Sequence, residues 1–410
     1  MVTKQTQTKL FDFSDVGLDF CAGSKNLFPD RFKKMLSVGY NVQTVSSVAI
    51  VGNQVTFTYG GAHGYAQDRV LKVDSGALAS INNGEFWIDS ITTNTVTFTL
   101  DGTPSVVEGG FATRIASLAW SLEYENANVH IYKFKHIDET DMFIRFVYQN
   151  NAAYRNAISV CIGKSVDLSV GTITDLNSLE LNRANTTPVS GPNWEFTSVP
   201  SSIYNNYTYN QGLSVFGLGR VVGSAYHVAF LFNILSQPGT GRVFGVFPFA
   251  PVANYSSLNY PAIFVEDAIN HPMYDLNYRF GLFNTRVYVG AQRCMGDQFR
   301  SEYNRDGRFY TITPRAYQSF TKQDSFNTSI AQPFILYESP SDQFLGYIQG
   351  IYICSFNAVD TPPIIISSTP SITMDVDLNS LVVIGHLSVN TSSGACVFLA
   401  LPVEEIKIAT

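Results

Sequence analysis

Residues 53–102 read NQVTFTYGGAHGYAQDRVLKVDSGALASINNGEFWIDSITTNTVTFTLDG, and this stretch decides the fold. Val55, Phe57 and Tyr59 alternate with Thr56 and Thr58; Val96, Phe98 and Leu100 alternate with Thr95, Thr97 and Thr99. Alternation of this period belongs to a strand with one buried face. Between the two runs stand Gly60-Gly61, Asn82-Asn83-Gly84 and Asp101-Gly102, residues that tolerate positive φ in tight turns. Thr92-Thr93-Asn94 separates residues 85–91 from 95–100 by a loop of hairpin length. The expectation is a compact four-strand unit of roughly fifty residues, too small to be very stable alone and packed against neighbours.

Working outward, a chain of 410 residues predicts two to four domains. Hydrophobic residues make up 45% of it, ample for cores, while charged residues make up only 14%, well below the roughly 25% of an ordinary soluble domain. Polar surface must then come from Thr, Ser, Asn and Gln, which suits Thr-faced sheets and surfaces covered by other subunits. Thirty Phe and twenty-two Tyr fit both strand propensity and interfaces. Net charge is -7. Basic residues are scattered, with residues 31–34 (Arg-Phe-Lys-Lys) the densest cluster, so no stripe for nucleic acid is present. Five cysteines, at 21, 161, 294, 354 and 396, are odd in number, widely spaced and free of CxxC pairs, which predicts free thiols made in a reducing cytoplasm. The polar first ten residues predict no secretory signal peptide, and no apolar run reaches membrane-spanning length. Asn-x-Ser/Thr triplets, as at Asn206 and Asn327, are therefore expected to stay unmodified.

Along the chain, residues 1–46 read as an N-terminal arm made sticky by Phe11, Phe13, Val16, Leu18 and Phe20. Residues 28–36 are the best helix candidate: Pro29 suits a first turn, Phe32, Met35 and Leu36 share a face, and Gly39 can end it. After the small β-module at 47–110, strands are expected at 120–124, 129–135, 142–148 and 157–162, in a sandwich-like domain spanning 111–255. Pro- and Asn-rich segments at 175–202 and 250–272 read as irregular surface excursions. Residues 225–235 and 242–249 flank Gln237-Pro238-Gly239-Thr240-Gly241, a hairpin signal. A C-terminal β-rich domain, 256–410, holds further strands at 278–289, 309–312, 334–337, 344–356, 380–387 and 395–401. The fold class predicted is all-β, mainly antiparallel: several small β-barrel or β-sandwich domains, an N-terminal arm and one short helix. No fibrous-shaft periodicity appears.

Chemistry was sought at each polar cluster. His130 and His136 lie six residues apart on one expected strand, about 20 Å, too far for a shared metal ion. His63, in a Gly-rich turn, is expected to hydrogen-bond that turn. Glu302-Tyr-Asn304-Arg-Asp306-Gly307 echoes half a calcium loop, but Thr313 stands where the closing Glu is required. Gly217-Leu-Gly219-Arg-Val-Val-Gly223 has one residue too many for a dinucleotide fingerprint and leads into a strand. Asp138, Glu139 and Asp141 are the densest carboxylate cluster, and they read as a polar turn, not a glycosidase pair. No catalytic, cofactor-binding or metal-ligating residue is assigned, no cofactor is expected, and the chain is expected not to be an enzyme.

Particular residues carry a family resemblance. They are Ala62-His63-Gly64-Tyr65, then Asp68-Arg69-Val70-Leu71-Lys72-Val73, then residues 81–88 (INNGEFWI) and 91–98 (ITTNTVTF). This order resembles a module of tailed-bacteriophage virion structural proteins, tail- or baseplate-associated and β-rich. Fainter echoes are residues 128–133, 142–146, the Phe244-Gly245-Val246-Phe247 element and the Gly-bracketed residues 345–352. The resemblance implies a structural protein of the tail, baseplate or collar, located in the virion after synthesis in the host cytoplasm. It implies other virion proteins as partners and a homo-oligomer joined by β-rich interfaces, with no nucleic acid and no membrane insertion. A second expectation is a receptor- or carbohydrate-binding protein of the same particle, taking a host surface glycan through Tyr204, Tyr207 and Tyr209 with Asn205, Asn206 and Asn210 between them.

Overall fold

The computed structural model describes residues 8–20, 22–74, 84–100, 102, 110–188, 192–196, 219–233, 241–253, 255–267, 285–296, 332–338, 341, 343–354, 371–374, 381–388 and 396–403. Within them the chain is mainly antiparallel β, with one short helix, as the alternation predicts. Two large sheets carry the architecture, one of seven strands and one of eighteen.

The seven-stranded sheet grows from the opening stretch. Gln54–Tyr59 pairs with Thr95–Thr99, placing Val55 opposite Phe98 and Phe57 opposite Val96. Their side chains are buried, while Thr56 and Thr97 face each other on the other side with hydroxyls 2.9 Å apart. Neighbours complete the unit: Tyr40–Val51 pairs with Gln54–Tyr59 on one side and with Ala112–Ile115 on the other. Val70–Val73 and Glu85–Trp87 extend that second edge. The sheet thus starts at Tyr40 and ends at Ile115, beyond the 47–110 span on both sides. The added strands cover an apolar face that four short strands would leave wet.

The helix forms where the residue spacing predicts it, while the packing of the arm, which the residues left open, is read from the fold. Phe28–Lys33 is α-helical with Pro29 in its first turn, and a π-helical turn, Lys34–Val38, follows. Phe28, Phe32, Met35 and Leu36 are all fully buried. Gly39 stops the helix at φ 77°, where its missing Cβ avoids a 2.4 Å collision with the Ile115 carbonyl oxygen. In the arm, Lys9–Asp12 pairs antiparallel with Gly219–Gly223, and Leu10, Phe11, Phe13, Leu18 and Phe20 are buried. The sticky arm therefore packs on its own chain. Asp15, between these aromatics, accepts a two-pronged ion pair from Arg69 at 2.7 and 2.9 Å and a hydrogen bond from the Tyr40 hydroxyl at 2.8 Å. Arm and seven-stranded sheet are locked together by that buried pair.

The eighteen-stranded sheet begins with the meander Ser121–Glu125, Val129–Lys135, Asp141–Tyr148 and Ala157–Gly163, close to the strands expected there. Val228–Asn233 and Gly241–Phe247 form the antiparallel pair that the Pro-Gly signal predicts. Gly245–Phe247 then pairs with Ala262–Phe264, so hydrogen bonding runs directly across residue 255. The strands Thr285–Val289, Gln332–Glu338, Phe344–Cys354, Leu381–Ser388 and Cys396–Val403 match expected positions; residues 309–312 lie outside the described part.

Both excursions require correction. Residues 175–202 contain the strand Pro192–Glu195, paired with Ala157–Ser159 on one side and with Glu266 and Asp267 on the other. Pro192 is the first residue of that strand, where its missing N–H is tolerated. Trp194 is fully buried among Phe32, Phe146, Phe230 and Phe244. Residues 250–272 likewise hold Ala262–Asp267, whose Ala262, Ile263, Phe264 and Val265 are all buried. A strand buried on both faces shows no alternation, and punctuating prolines concealed it.

Candidate functional site

A shallow cleft of about 440 Å³ opens between the helix Phe28–Lys33 and the hairpin of Ser121–Glu125 with Val129–Lys135. Pro29, Asp30 and Lys33 come from the helix; Glu125, Asn126, Ala127 and His130 come from the hairpin. The helix is placed there by its buried face, which leaves Asp30 and Lys33 on the outer side. Lys33 Nζ bridges to both Glu125 carboxylate oxygens, at 3.0 and 2.7 Å. Asp30 pairs with Arg31 and Lys34, each at 2.8 Å. Beside the cleft, the Arg155 guanidinium donates to the Asn26 and Ala127 carbonyl oxygens at 3.3 and 3.5 Å.

His130 forms the floor. Its side chain is 4% exposed; Nδ1 lies 3.1 Å from the Tyr132 hydroxyl and Nε2 lies 3.9 Å from Glu125 Oε1. Burial raises Tyr132 well above the ordinary tyrosine range, so it is a phenol with a proton to give. Donation from Tyr132 to Nδ1 leaves the imidazole proton on Nε2, directed toward the Glu125 carboxylate. The opposite tautomer would aim an Nε2 lone pair at that anion and leave the buried phenol proton without an acceptor. Burial also pushes the His130 imidazole down to about 4, outweighing the opposing effect of Glu125, so the ring is neutral at pH 7.

The other sequence candidates fall into structural roles. His63 Nδ1 accepts from the Tyr65 amide at 2.9 Å, so Nε2 carries the proton and donates to the Thr92 and Thr95 carbonyl oxygens at 2.9 and 3.1 Å. It ties its turn to the next hairpin; the positive φ of that turn falls at Gly64. His136 is buried at the far end of the strand that begins beside His130, its Nδ1 accepting from the Ile137 amide. Asp138 caps its own turn by accepting from Thr140, Glu139 adopts φ 65° and accepts from the Tyr226 hydroxyl, and Asp141 pairs with Lys135. Three partners in three directions make a polar turn. Gly219 and Gly223 lie in a strand, where added Cβ atoms would meet the Phe13 ring at 2.5 Å and the Leu118 side chain at 2.6 Å. Close packing of the arm explains Gly219, and close approach of Leu118 explains Gly223.

One contact looks like a nucleophile with its base: Ser224 Oγ sits 2.7 Å from His227 Nδ1. Both residues are buried to 1% or less, and the same hydroxyl accepts from the Tyr226 amide, so the pair fastens a turn. Burial pushes the Cys161 and Cys294 thiols up to about 12, leaving neither a thiolate at neutral pH. No cluster of three or more metal-ligating side chains occurs among the described residues. Residues 302–307, His271 and the Tyr/Asn run at 204–210 lie outside the described part. No local pattern of residues announces the cleft, whose two halves, bridged from Lys33 to Glu125, lie 92 residues apart.

Buried neutral histidines set a pH dependence. Burial lowers His227 to about 3 and His130 to about 4, and it also lowers His136. Each unfolded imidazole titrates near 6.5, so the unfolded chain binds more protons below that pH. The stability contributed by His227 and His130 is therefore fully present above about pH 6.5 and is lost as pH falls toward 4, by about 1.4 kcal/mol per pH unit each, and His136 acts in the same direction. Urea midpoints measured between pH 7 and 4 should drop steeply, and His227→Phe should flatten the slope. An unchanged slope in that variant would mean His227 protonates freely when folded.

No family model matches the chain, and no curated protein does. Among solved structures the chain is similar to a protein described as phage phi92 endosialidase, with 10% sequence identity and a TM-score of 0.17 over 91% of this chain and 53% of that one. The chain spans about half the length of that protein. So low a score bears on neither fold nor activity.

Proposed function

We propose that the chain is a non-enzymatic structural component of a tailed-phage virion, at the tail, baseplate or collar, assembling through β-rich protein interfaces. The phage setting rests on the sequence resemblance within residues 62–98. The observation that carries the assembly role is a set of outward apolar side chains on a firmly held segment. Leu168, Val170, Leu176 and Leu181 are 41%, 59%, 81% and 60% exposed. Beneath them, buried Arg145 donates to the carbonyl oxygens of Gly171, Asn182 and Asn185 and to the Asn185 side chain, at 2.6–3.1 Å. Asp175 accepts from the Lys164 and Asn177 amides and from the Tyr260 hydroxyl. A cation is thus kept in the interior to fix a segment that shows leucines to water. Preorganised apolar surface of this kind lowers the ordering entropy of association.

Sedimentation of the purified chain tests the role. A symmetric oligomer, or a stable complex with tail proteins, is expected, and Leu176→Asp with Leu181→Asp should weaken it by about tenfold or more while leaving thermal stability unchanged. A chain that stays monomeric at high concentration and binds no tail protein would sink the reading.

A further inference from the structure

We propose that the cleft between the helix Phe28–Lys33 and the Glu125–His130 hairpin binds a neutral sugar, with one hydroxyl held between His130 Nε2 and Glu125. Geometry and hydrogen-bond chemistry lead there. The Nε2–H donor and the Glu125 Oε1 acceptor are 3.9 Å apart, too far for a direct hydrogen bond. Two ordinary hydrogen bonds of about 2.7–2.9 Å, meeting at one oxygen near a right angle, span that gap. The bridging group must accept from nitrogen and donate to a carboxylate. An ammonium cannot accept and a carboxylate cannot donate, whereas a hydroxyl does both.

Size and charge narrow the ligand further. A volume of about 440 Å³ exceeds the share of a single water severalfold and lies within the range of small-molecule sites. Both carboxylates of the cleft already hold cations: Glu125 holds Lys33, and Asp30 holds Arg31 and Lys34. A cationic ligand would have to displace one of those partners, while a neutral polyol would only add hydrogen bonds. Pro29 and Ala127 supply the small apolar surface on which ring C–H groups rest. His130 itself is the buried polar anchor, with Nδ1 held from below and Nε2 left for the cleft. This site goes beyond the assembly role and does not depend on it. It uses none of the residues of the Tyr/Asn run at 204–210.

Saturation-transfer difference NMR on the full chain tests it, with the methyl glycosides of glucose, galactose, mannose and N-acetylglucosamine as probes. At least one glycoside should show saturable transfer in the millimolar range. Glu125→Ala should weaken that binding by about tenfold or more, and Glu125→Gln, which keeps the shape but not the charge, should weaken it as well. Glu125 is 45% exposed on its side chain, so both variants should fold, as matching thermal melts would verify. Absence of transfer from all four probes would mean the gap holds only water and would overturn the site. Binding that survives both substitutions would overturn it equally, by placing the sugar elsewhere. A chain that assembles but binds no glycoside loses the cleft and keeps the assembly role.

Discussion

Asp15→Ala is expected to destabilise the folded chain by about 3–5 kcal/mol, one of the largest effects of any single substitution outside the aromatic core. Both partners of the Arg69–Asp15 pair are 6% exposed on their side chains, with Nε–Oδ2 at 2.7 Å and Nη2–Oδ1 at 2.9 Å. Burial by itself would lower the Arg69 guanidinium, but Asp15 beside it raises it above the ordinary arginine range, so removing the carboxylate strands a cation that cannot deprotonate. The Tyr40 hydroxyl and the Asp12 amide lose their acceptor in the same step. Because the pair joins the arm to the seven-stranded sheet, the loss should appear as a lower urea midpoint for the whole cooperative unit. The double variant Asp15→Leu with Arg69→Met should recover most of it, since paired apolar side chains replace a buried ion pair at little loss. A single variant within 1 kcal/mol of the parent would mean that water reaches Arg69.

How far the residues disclosed this fold depends on what each pattern reports. Alternation in residues 54–59 and 95–99 marks one wet and one buried face, and both strands appear where the alternation places them. The helix was legible because Pro29, the Phe32/Met35/Leu36 spacing and Gly39 act locally. Partners distant in sequence left no such mark. Nothing near Asp15 indicates Arg69, and nothing in residues 125–130 indicates that Asp30 and Lys33 stand opposite. Arg145 looks like an ordinary strand-surface cation; only the folded chain shows it buried, pushed down to about 10 by desolvation, and held by backbone carbonyls.

The proposed assembly surface and the stability of its segment draw on the same device. Residues 164–185 have few apolar side chains turned inward, chiefly Ile173 and Leu179 against Cys161. Hydrogen bonds to Arg145 and Asp175 therefore hold the segment where a core would otherwise do so. This arrangement leaves Leu168, Val170, Leu176 and Leu181 exposed, without those side chains being needed to fold the chain.

Trp194→Ala should be as disruptive as the loss of Asp15, by about 3–5 kcal/mol, and it separates two accounts of residues 175–202. An irregular surface excursion would tolerate the change within about 0.5 kcal/mol. In the folded chain, however, the indole lies 5.3 Å from the Phe146 ring, 5.5 Å from Phe230 and 6.1 Å from Phe32, and it stacks nearly parallel on Phe244. Its Nε1–H donates to the Phe264 carbonyl oxygen at 2.7 Å, joining Pro192–Glu195 to Ala262–Asp267 beside their short backbone ladder. Alanine would open a cavity that four fully buried aromatic neighbours, fixed by their own strands and helix, cannot collapse to fill. Trp194→Phe keeps most of the packing and loses only the hydrogen bond, so it should be destabilised by about 1–2 kcal/mol. That graded series, Trp above Phe above Ala in denaturant midpoint, is the signature of a core strand. Equal midpoints for all three would return the segment to the surface and remove the link between the meander and the C-terminal strands.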